Sequence, residues 1–277
     1  MEEEIDENAI HNVEVKGKKL YIDGFLKSNL DKAKEIIRKD WDIVFVYDGY
    51  EGSGKSVKAM QDCFYFDNTF NMDRVCFDPR EFTRAIKKAQ PYQAVLYDEA
   101  FTGLNARAAM SLINRTLVKM LAEIRQKRLF VGIVMPTFFD LDRYVALWRS
   151  RALIHVYMGK NFQRGFFMFF NMERKKQLYV LGKKYYSYYK PPANFKGRFT
   201  NTYVMDEVEY RKRKRDSLMK RGSDQEKRLM EEQVRNSMFE RLVGFEGITN
   251  VQKAKILGIP EGTYYYKLKN YEETGEL

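Results

Sequence analysis

The fold of this chain is decided by the stretch IVFVYDGYEGSGKS, residues 43–56. Residues 43–47 form an apolar run that is typical of a buried strand, and residues 49–56 match the phosphate-binding loop pattern G-x-x-x-x-G-K-[ST] at every fixed position. The following segment, 55–63, can continue as a helix, which is the context that this motif requires. The sequence therefore predicts a strand, a phosphate-binding loop and a helix in succession.

Each part of the predicted loop has its own chemical role. Glycines let the backbone bend around an anion and aim N–H groups at it, and a helix N-terminus adds favourable potential. We expect Lys55 to reach the β- and γ-phosphates and the Ser56 hydroxyl to bind Mg²⁺. The alternative is a glycine-rich turn without a ligand. The residues predicted to bind the nucleotide are Gly49, Glu51, Gly52, Ser53, Gly54, Lys55, Ser56 and Val57.

Composition predicts a soluble cytoplasmic protein that associates with polyanions. Of the 277 residues, 44% are hydrophobic and 31% are charged, and the formal net charge is +11. The longest uncharged apolar-rich run, 129–139, contains a proline and is too short to span a bilayer. The acidic N-terminus does not resemble a secretion signal, and the two cysteines, Cys63 and Cys76, lack the spacing of a metal site.

Hydrophobic periodicity predicts an α/β fold. After a hairpin at 13–22 and a helix at 26–38, strands at 75–77, 93–97, 129–135 and 152–157 alternate with helices. The helical segments are 80–89, 106–127 and 143–149. This alternation is typical of a mainly parallel sheet that is covered on both faces.

The pattern changes after residue 158. We expect an antiparallel pair of strands at 164–170 and 177–180, followed by an aromatic stretch at 185–189 that packs at the sheet edge. From about residue 208 the chain is charged and helix-prone, with a break at 222–223. The predicted domains are an ATPase domain at 1–205, a basic helical linker at 206–235 and a DNA-binding domain at 236–277.

A pair of carboxylates completes the predicted site. The apolar strand 93–97 ends in Asp98 and Glu99. Such a strand end lies beside the phosphate loop in this fold, so Asp98 would hold Mg²⁺ through water. Glu99 would polarise the water that attacks the γ-phosphate. The alternative is two solvent-facing acids at the end of a strand.

These two motifs resemble the Walker A and Walker B elements of P-loop ATPases that carry an additional strand and a catalytic glutamate. This branch includes AAA+, RecA-like and FtsK/HerA-type motors, and the resemblance covers roughly residues 40 to 160. The layout looks most like FtsK/HerA-type and zonular-occludens-toxin-like ATPases of phages and plasmids. No Asn-Lys-x-Asp element for reading guanine is present, so the implied nucleotide is ATP.

The resemblance also implies further catalytic residues. A polar residue at the end of the fourth strand commonly senses the γ-phosphate in this branch, and Thr137 occupies that place, where FtsK/HerA-type members usually carry Gln or Asn. Ring-forming motors often supply an arginine from a neighbouring subunit, and Arg149 and Arg151 are the candidates. For each arginine, a salt bridge at a helix end is the alternative. The implied assembly is a homo-oligomer, with a ring as one form.

Two C-terminal features predict binding of double-stranded DNA. The basic run Arg211, Lys212, Arg213, Lys214 and Arg215 suits contact with phosphates, or else a solvated helix face. Residues 249–271 resemble a helix-turn-helix, with Thr249 as a cap on a helix that holds Val251, Ala254 and Leu257, and with Gly258 in the turn. Ile259 and Leu268 would face the small core. The alternative is a plain helical hairpin. The residues expected to face DNA are Thr263, Tyr265, Tyr266, Lys267 and Lys269.

Together these patterns predict a magnesium-dependent ATPase that acts on DNA in packaging, segregation or replication of a mobile element. A nucleotide-gated DNA-binding regulator with little hydrolysis is the alternative from another class. A small-molecule kinase is a third reading, which the C-terminal pattern does not favour.

Overall fold

The computed structural model describes residues 10–15, 18–98, 114–115, 117–121, 124 and 127–274. The first strands and helices are β1 (Ile10–Val15), β2 (Lys18–Asp23), α1 (Gly24–Arg38), β3 (Ile43–Gly49), α2 (Lys55–Phe66), β4 (Val75–Cys76), α3 (Pro79–Lys88) and β5 (Ala94–Asp98). They are followed by β6 (Phe130–Val134), β7 (Ala152–Tyr157), β8 (Phe166–Phe170), α4 (Met172–Tyr185), β9 (Phe195–Arg198), α5 (Glu207–Val243), α6 (Asn250–Ile256) and α7 (Glu261–Thr274).

A seven-stranded sheet with the order β4-β5-β6-β3-β7-β8-β9 forms the centre of the first part of the chain. The first five strands in this order, β4, β5, β6, β3 and β7, are parallel to one another. Strand β8 runs antiparallel to β7, and β9 runs antiparallel to β8. Every residue of β3 is buried, because both faces of this central strand are covered. The α/β class and the mainly parallel sheet that the alternation predicts are confirmed.

Helices bury apolar side chains on both faces of this sheet. On one face, α1 packs through the stripe Leu26, Leu30, Ala33 and Ile37, together with α2. On the other face, Phe82 and Ile86 of α3 pack with residues such as Leu117 and Phe138. The predicted N-terminal hairpin is also present, as the antiparallel pair β1 and β2.

Several local predictions differ from the structure or lie outside the described residues. The segment 177–180 is helical, not a strand, because Asn171 caps α4 by accepting a hydrogen bond from the Arg174 N–H at 3.0 Å, and β8 pairs with β9 instead. The predicted break at 222–223 is absent, since α5 is continuous there. Residues 145–149 form a short π-helix. Of the predicted helix 106–127, only 114–115, 117–121, 124 and 127 are described.

The chain divides into two compact units, Met1–Ser217 and Leu218–Leu277. The first unit extends beyond the predicted domain end at residue 205, because the beginning of α5 contacts residues of the sheet and of α2. Helix α5 begins in the first unit and ends in the second.

The second unit has a small core of its own, made by Phe239, Ala254, Leu257 and Tyr264. Thr249 and Gln252 form the capping box that begins α6, so the predicted cap is confirmed. Gly258 has a φ of +63° in the turn before α7. Ala254 and Leu257 are buried in this core, whereas the side chain of Val251 is 46% exposed.

Candidate phosphate-binding site

The loop between β3 and α2 has a backbone that only glycine adopts easily. Gly49, Gly52 and Gly54 have φ values of +137°, +74° and +99°. A Cβ atom on Gly49 would also lie 1.9 Å from the carbonyl oxygen of Val156. Three left-handed positions within six residues wrap the chain into a concave loop at the C-terminal end of the sheet, where helix α2 begins.

Two polar groups of this loop fit an anion. The Lys55 ammonium donates hydrogen bonds to the carbonyl oxygens of Gly49 at 2.6 Å and Tyr50 at 2.8 Å, so it lies over the loop. Burial lowers the pKa of Lys55, while the Asp48 carboxylate opposes that shift. The Ser53 hydroxyl is buried and has no hydrogen-bond partner among the described residues. A phosphate group bound in the loop would satisfy such a donor.

The two predicted metal-binding residues are brought together by the fold. The Ser56 Oγ, in the first turn of α2, donates to the Asp98 Oδ1 at 3.0 Å. Asp98 is fully buried at the end of β5, which β6 separates from β3. The part of the chain that the structure describes holds no group of three or more His, Cys, Asp or Glu side chains that could hold a metal ion. One carboxylate and one hydroxyl fit Mg²⁺, which takes its other ligands from phosphates and water. Glu99 lies outside the described residues.

Two residues of α5 complete this cluster and were not predicted to belong to it. The Tyr210 hydroxyl donates to the Asp98 Oδ2. The Lys214 ammonium lies 3.0 Å from the same oxygen, 3.2 Å from the Ser56 Oγ and 3.1 Å from the Tyr210 hydroxyl. Burial and the Asp98 charge raise the pKa of Tyr210, so its phenol stays a neutral donor. A positive charge of the chain itself therefore lies next to both predicted metal ligands.

The other members of the basic run point in different directions. Arg213 donates to the carbonyl oxygen of Met72 at 2.8 Å, and Arg211 pairs with Glu207 at the exposed surface. Lys212 and Arg215 are exposed. The run is thus shared between the first unit and solvent, and does not form one continuous basic face.

A second polar network lies beside the loop, at the C-terminal ends of β3, β6 and β7. The buried Asp48 carboxylate accepts from the Phe138 N–H at 2.8 Å and from the Tyr188 hydroxyl, and its Oδ1 lies 2.9 Å from the His155 Nδ1. Thr137, the predicted γ-phosphate sensor, lies 3.1 Å from the Tyr188 hydroxyl through its Oγ1. The His155 and Tyr188 rings stack with centroids 3.7 Å apart. Of the side chains in this network, the sequence predicted a functional role only for Thr137.

The two candidate arginines lie at the opposite end of the sheet. Arg149 pairs with Asp42, just before β3, and donates to the carbonyl oxygen of Leu121 at 2.7 Å. The backbone N–H of Arg151 donates to the Val44 carbonyl at 2.7 Å, and its side chain is exposed. The phosphate loop follows the other end of β3, so neither arginine belongs to the site of its own chain. A role in a neighbouring subunit stays a prediction.

The residues predicted to face DNA lie on α7. Thr263, Tyr265, Tyr266 and Lys269 are exposed, whereas Lys267 is half-buried and donates to the Asn236 Oδ1 at 2.8 Å. Tyr264, which lies between them, fills the core of the second unit.

Comparison with known proteins identifies no relative: no protein-family model matches the chain, and no curated protein matches it significantly. Across the described residues, none of the helices is both long and apolar enough to cross a membrane.

Proposed function

We propose that the protein is a magnesium-dependent ATP hydrolase that acts on double-stranded DNA. The observation that carries this proposal is the 3.0 Å contact between Ser56, beneath a loop with three left-handed glycines, and the buried Asp98. A hydroxyl and a carboxylate at this place suit a metal ion that bridges the phosphates of a nucleotide. The insertion of β6 between β3 and β5 supports an additional-strand, RecA-like core.

The residues of the chain divide the work of hydrolysis among them. The loop N–H groups and Lys55 bind the phosphates and hold the γ-phosphate in place. Magnesium, when bound, supplies positive charge next to the phosphate oxygens. Ser56 and Asp98 would hold that ion, and Glu99 would accept a proton from the attacking water. Thr137, fixed by Tyr188, would donate a hydrogen bond to the γ-phosphate.

The DNA part of the proposal depends on charge and on the second unit. A formal net charge of +11 favours a polyanionic partner. Helices α6 and α7, joined by a turn at Gly258, leave Thr263, Tyr265, Tyr266 and Lys269 exposed, as a helix-turn-helix would for contact with a duplex. The proposed setting is cytoplasmic, with the chain in a homo-oligomer.

A phosphate-release assay with and without duplex DNA tests this function. Lys55→Ala should abolish nucleotide binding, whereas Glu99→Gln should keep ATP binding and lower turnover by at least about a hundredfold, since a general base contributes that much. Lys87→Ala on α3 and Glu173→Gln on α4 are the matched controls and should keep full turnover. Full turnover by Glu99→Gln would remove the role given to that residue.

The regulator without hydrolysis is the second candidate, and one observation favours it. The Lys214 ammonium bonds to both Asp98 and Ser56, so a positive charge of the chain itself can take the position proposed for Mg²⁺, and hydrolysis would be slow while it stays there. Release of phosphate that rises with DNA supports the hydrolase. Tight retention of ATP together with a change in DNA affinity supports the regulator.

A further inference from the structure

The segment 183–190 presents tyrosine rings to solvent. Tyr185, Tyr186 and Tyr189 are 54%, 89% and 64% exposed. The expectation that this aromatic stretch packs at the sheet edge is therefore wrong for these three residues. Large exposed rings in close succession are uncommon without a partner, because each leaves apolar area in water.

The exposed rings are accompanied by positive charge. The Lys184 and Lys190 ammonium groups lie 5.4 Å and 5.2 Å from the centroid of the Tyr185 ring. Lys183, also exposed, lies 5.3 Å from the Tyr179 ring. We call Lys183, Lys184, Tyr185, Tyr186, Tyr189 and Lys190 the lysine–tyrosine surface.

Along the sequence, this surface lies in a stretch without acidic residues, although Asp140 and Asp142 face the nearby Tyr179 ring. Between Glu173 and Asp206 the sequence has no acidic residue. The same stretch contains eight basic residues, namely Arg174, Lys175, Lys176, Lys183, Lys184, Lys190, Lys196 and Arg198. The exposed lysines and tyrosine rings of this region together fit an anion that also offers flat apolar faces.

The surface adjoins the candidate site. Tyr188, between the exposed tyrosines, points inward and bonds to Asp48 and Thr137. A ligand held by Tyr186 and Tyr189 would thus lie within two residues of the network beside the phosphate loop. Because of this position, a ligand of the surface is more simply explained as a substrate of the nearby phosphate-binding site than as a partner unrelated to that site.

We propose that the lysine–tyrosine surface binds single-stranded nucleic acid. Tyrosine rings stack on unpaired bases, and the ammonium groups contact the phosphates of the same strand. A duplex hides its base faces, so the tyrosines would gain little from one. The proposal goes beyond the function above by placing an unpaired strand on the first unit, and it rests on that function only in that both involve nucleic acid.

Fluorescence anisotropy of the full chain with a labelled (dT)20 oligonucleotide, without nucleotide, tests the proposal. The double variant Tyr186→Ala and Tyr189→Ala should weaken binding to (dT)20 by at least about tenfold and duplex binding by less than about threefold, because only the strand offers bases for stacking. Tyr186→Phe with Tyr189→Phe should keep the affinity, since the rings remain. Tyr92→Ala, exposed at the other end of the sheet, is the control.

The lysines have a separate signature. Changing Lys183, Lys184 and Lys190 to Gln should reduce the slope of log affinity against log salt by about 2, because three phosphate contacts on a single strand contribute about 0.7 each. Photocrosslinking with 5-iodouracil, followed by mass spectrometry, should label a peptide that contains 183–190. This distinguishes the surface from α7.

Three results would overturn the proposal. They are unchanged (dT)20 affinity in the tyrosine double variant, an equal loss for duplex and single strand, and crosslinks confined to the second unit. Loss of self-association with intact (dT)20 binding would assign the surface to a protein contact instead. Because the assay contains no nucleotide, a protein without ATPase activity can still bind (dT)20. Failure of the proposed function and failure of the strand contact can therefore be told apart.

Discussion

If Ser56 and Asp98 hold Mg²⁺ as we propose, Lys214 competes with that ion for one oxygen of each. The Lys214 ammonium bonds to Ser56 and Asp98, so the proposed Mg²⁺ would have to displace it to reach these oxygens. Lys214→Met should therefore increase the apparent Mg²⁺ affinity of the nucleotide complex about tenfold, since a hydrogen bond to a charged group contributes roughly 1.5–3 kcal/mol and partial exposure reduces this. Titration of fluorescent ATP binding with Mg²⁺ measures the effect.

Lys212→Met is the matched control, because Lys212 is exposed on the same turn of α5. If ATP binding by Lys214→Met depends on Mg²⁺ as it does in the wild type, Lys214 does not occupy the proposed metal position in solution.

Lys175 gives the molecule a pH dependence in a region away from the site. Its side chain is fully buried, it donates to the Ala146 carbonyl, and burial lowers its pKa to about 7. The unfolded chain keeps a pKa near 10.4, so it binds more protons between about pH 7 and pH 10. The free energy of unfolding should rise with pH in that window by about 1.4 kcal/mol per unit at most.

Lys175→Met should remove this increase. Urea unfolding at pH 7 and pH 9, followed by circular dichroism, should show the wild type gaining up to about 2.7 kcal/mol relative to Lys175→Met. Lys184→Met, at an exposed position of the same helix, should follow the wild type. Parallel pH curves for wild type and Lys175→Met would contradict the assignment.

The sequence alone predicts only part of the candidate site. Local spacing identifies Lys55 and Ser56, because the motif requires those residue types at those places, and an apolar strand that ends in a carboxylate identifies Asp98. Tyr210 and Lys214 reach the site from a helix more than a hundred residues later, inside a charge run that also suits a solvated face. The one local signal for their joint position is the spacing of four residues between Tyr210 and Lys214, which places both side chains on the same face of a helix.

At the scale of elements, the second unit depends on very few side chains. Phe239, Ala254, Leu257 and Tyr264 make up its buried core. Phe239→Ala should cost about 3–5 kcal/mol, which is comparable with the whole stability of so small a unit. Hydrogen exchange in α6 and α7 should then become fast, while nucleotide binding by the first unit is kept.

Met238→Ala is the comparison, because this neighbouring side chain is largely exposed and should leave exchange unchanged. Loss of nucleotide binding in Phe239→Ala would contradict the independence of the two cores.

Helix α4 shows why the strand prediction at 177–180 is wrong. Leu178, Tyr179 and Val180 form a short apolar run, and such runs do not separate strands from helices by periodicity. The structure buries Leu178 and leaves Val180 exposed, as one face of a helix requires. The local signal for the helix is Asn171, a favoured capping residue, which the strand prediction did not take into account.

At the scale of the whole molecule, the alternation of strands and helices predicts the parallel sheet, but it does not predict the order of the strands. Each parallel strand is an apolar run that could fit any interior place, because both faces of the sheet are covered. The insertion of β6 between β3 and β5 depends on packing between distant segments, which a single sequence does not display.

The place of β3 in the sheet also governs when this protein can fold during translation. Ile43 pairs with Phe130 and Phe45 pairs with Ala152, so the central strand gains its first neighbour only when β6 leaves the ribosome and its second only when β7 does. At a synthesis rate of about 5–20 residues per second, roughly 5 to 20 seconds pass between synthesis of the glycine loop and synthesis of both strands that flank β3. Ribosome-stalled chains that end near residue 140 should therefore bind no nucleotide, whereas chains long enough for β9 to have left the ribosomal tunnel should bind it. During that time the apolar strand β3 is exposed, which makes it a natural ligand for chaperones.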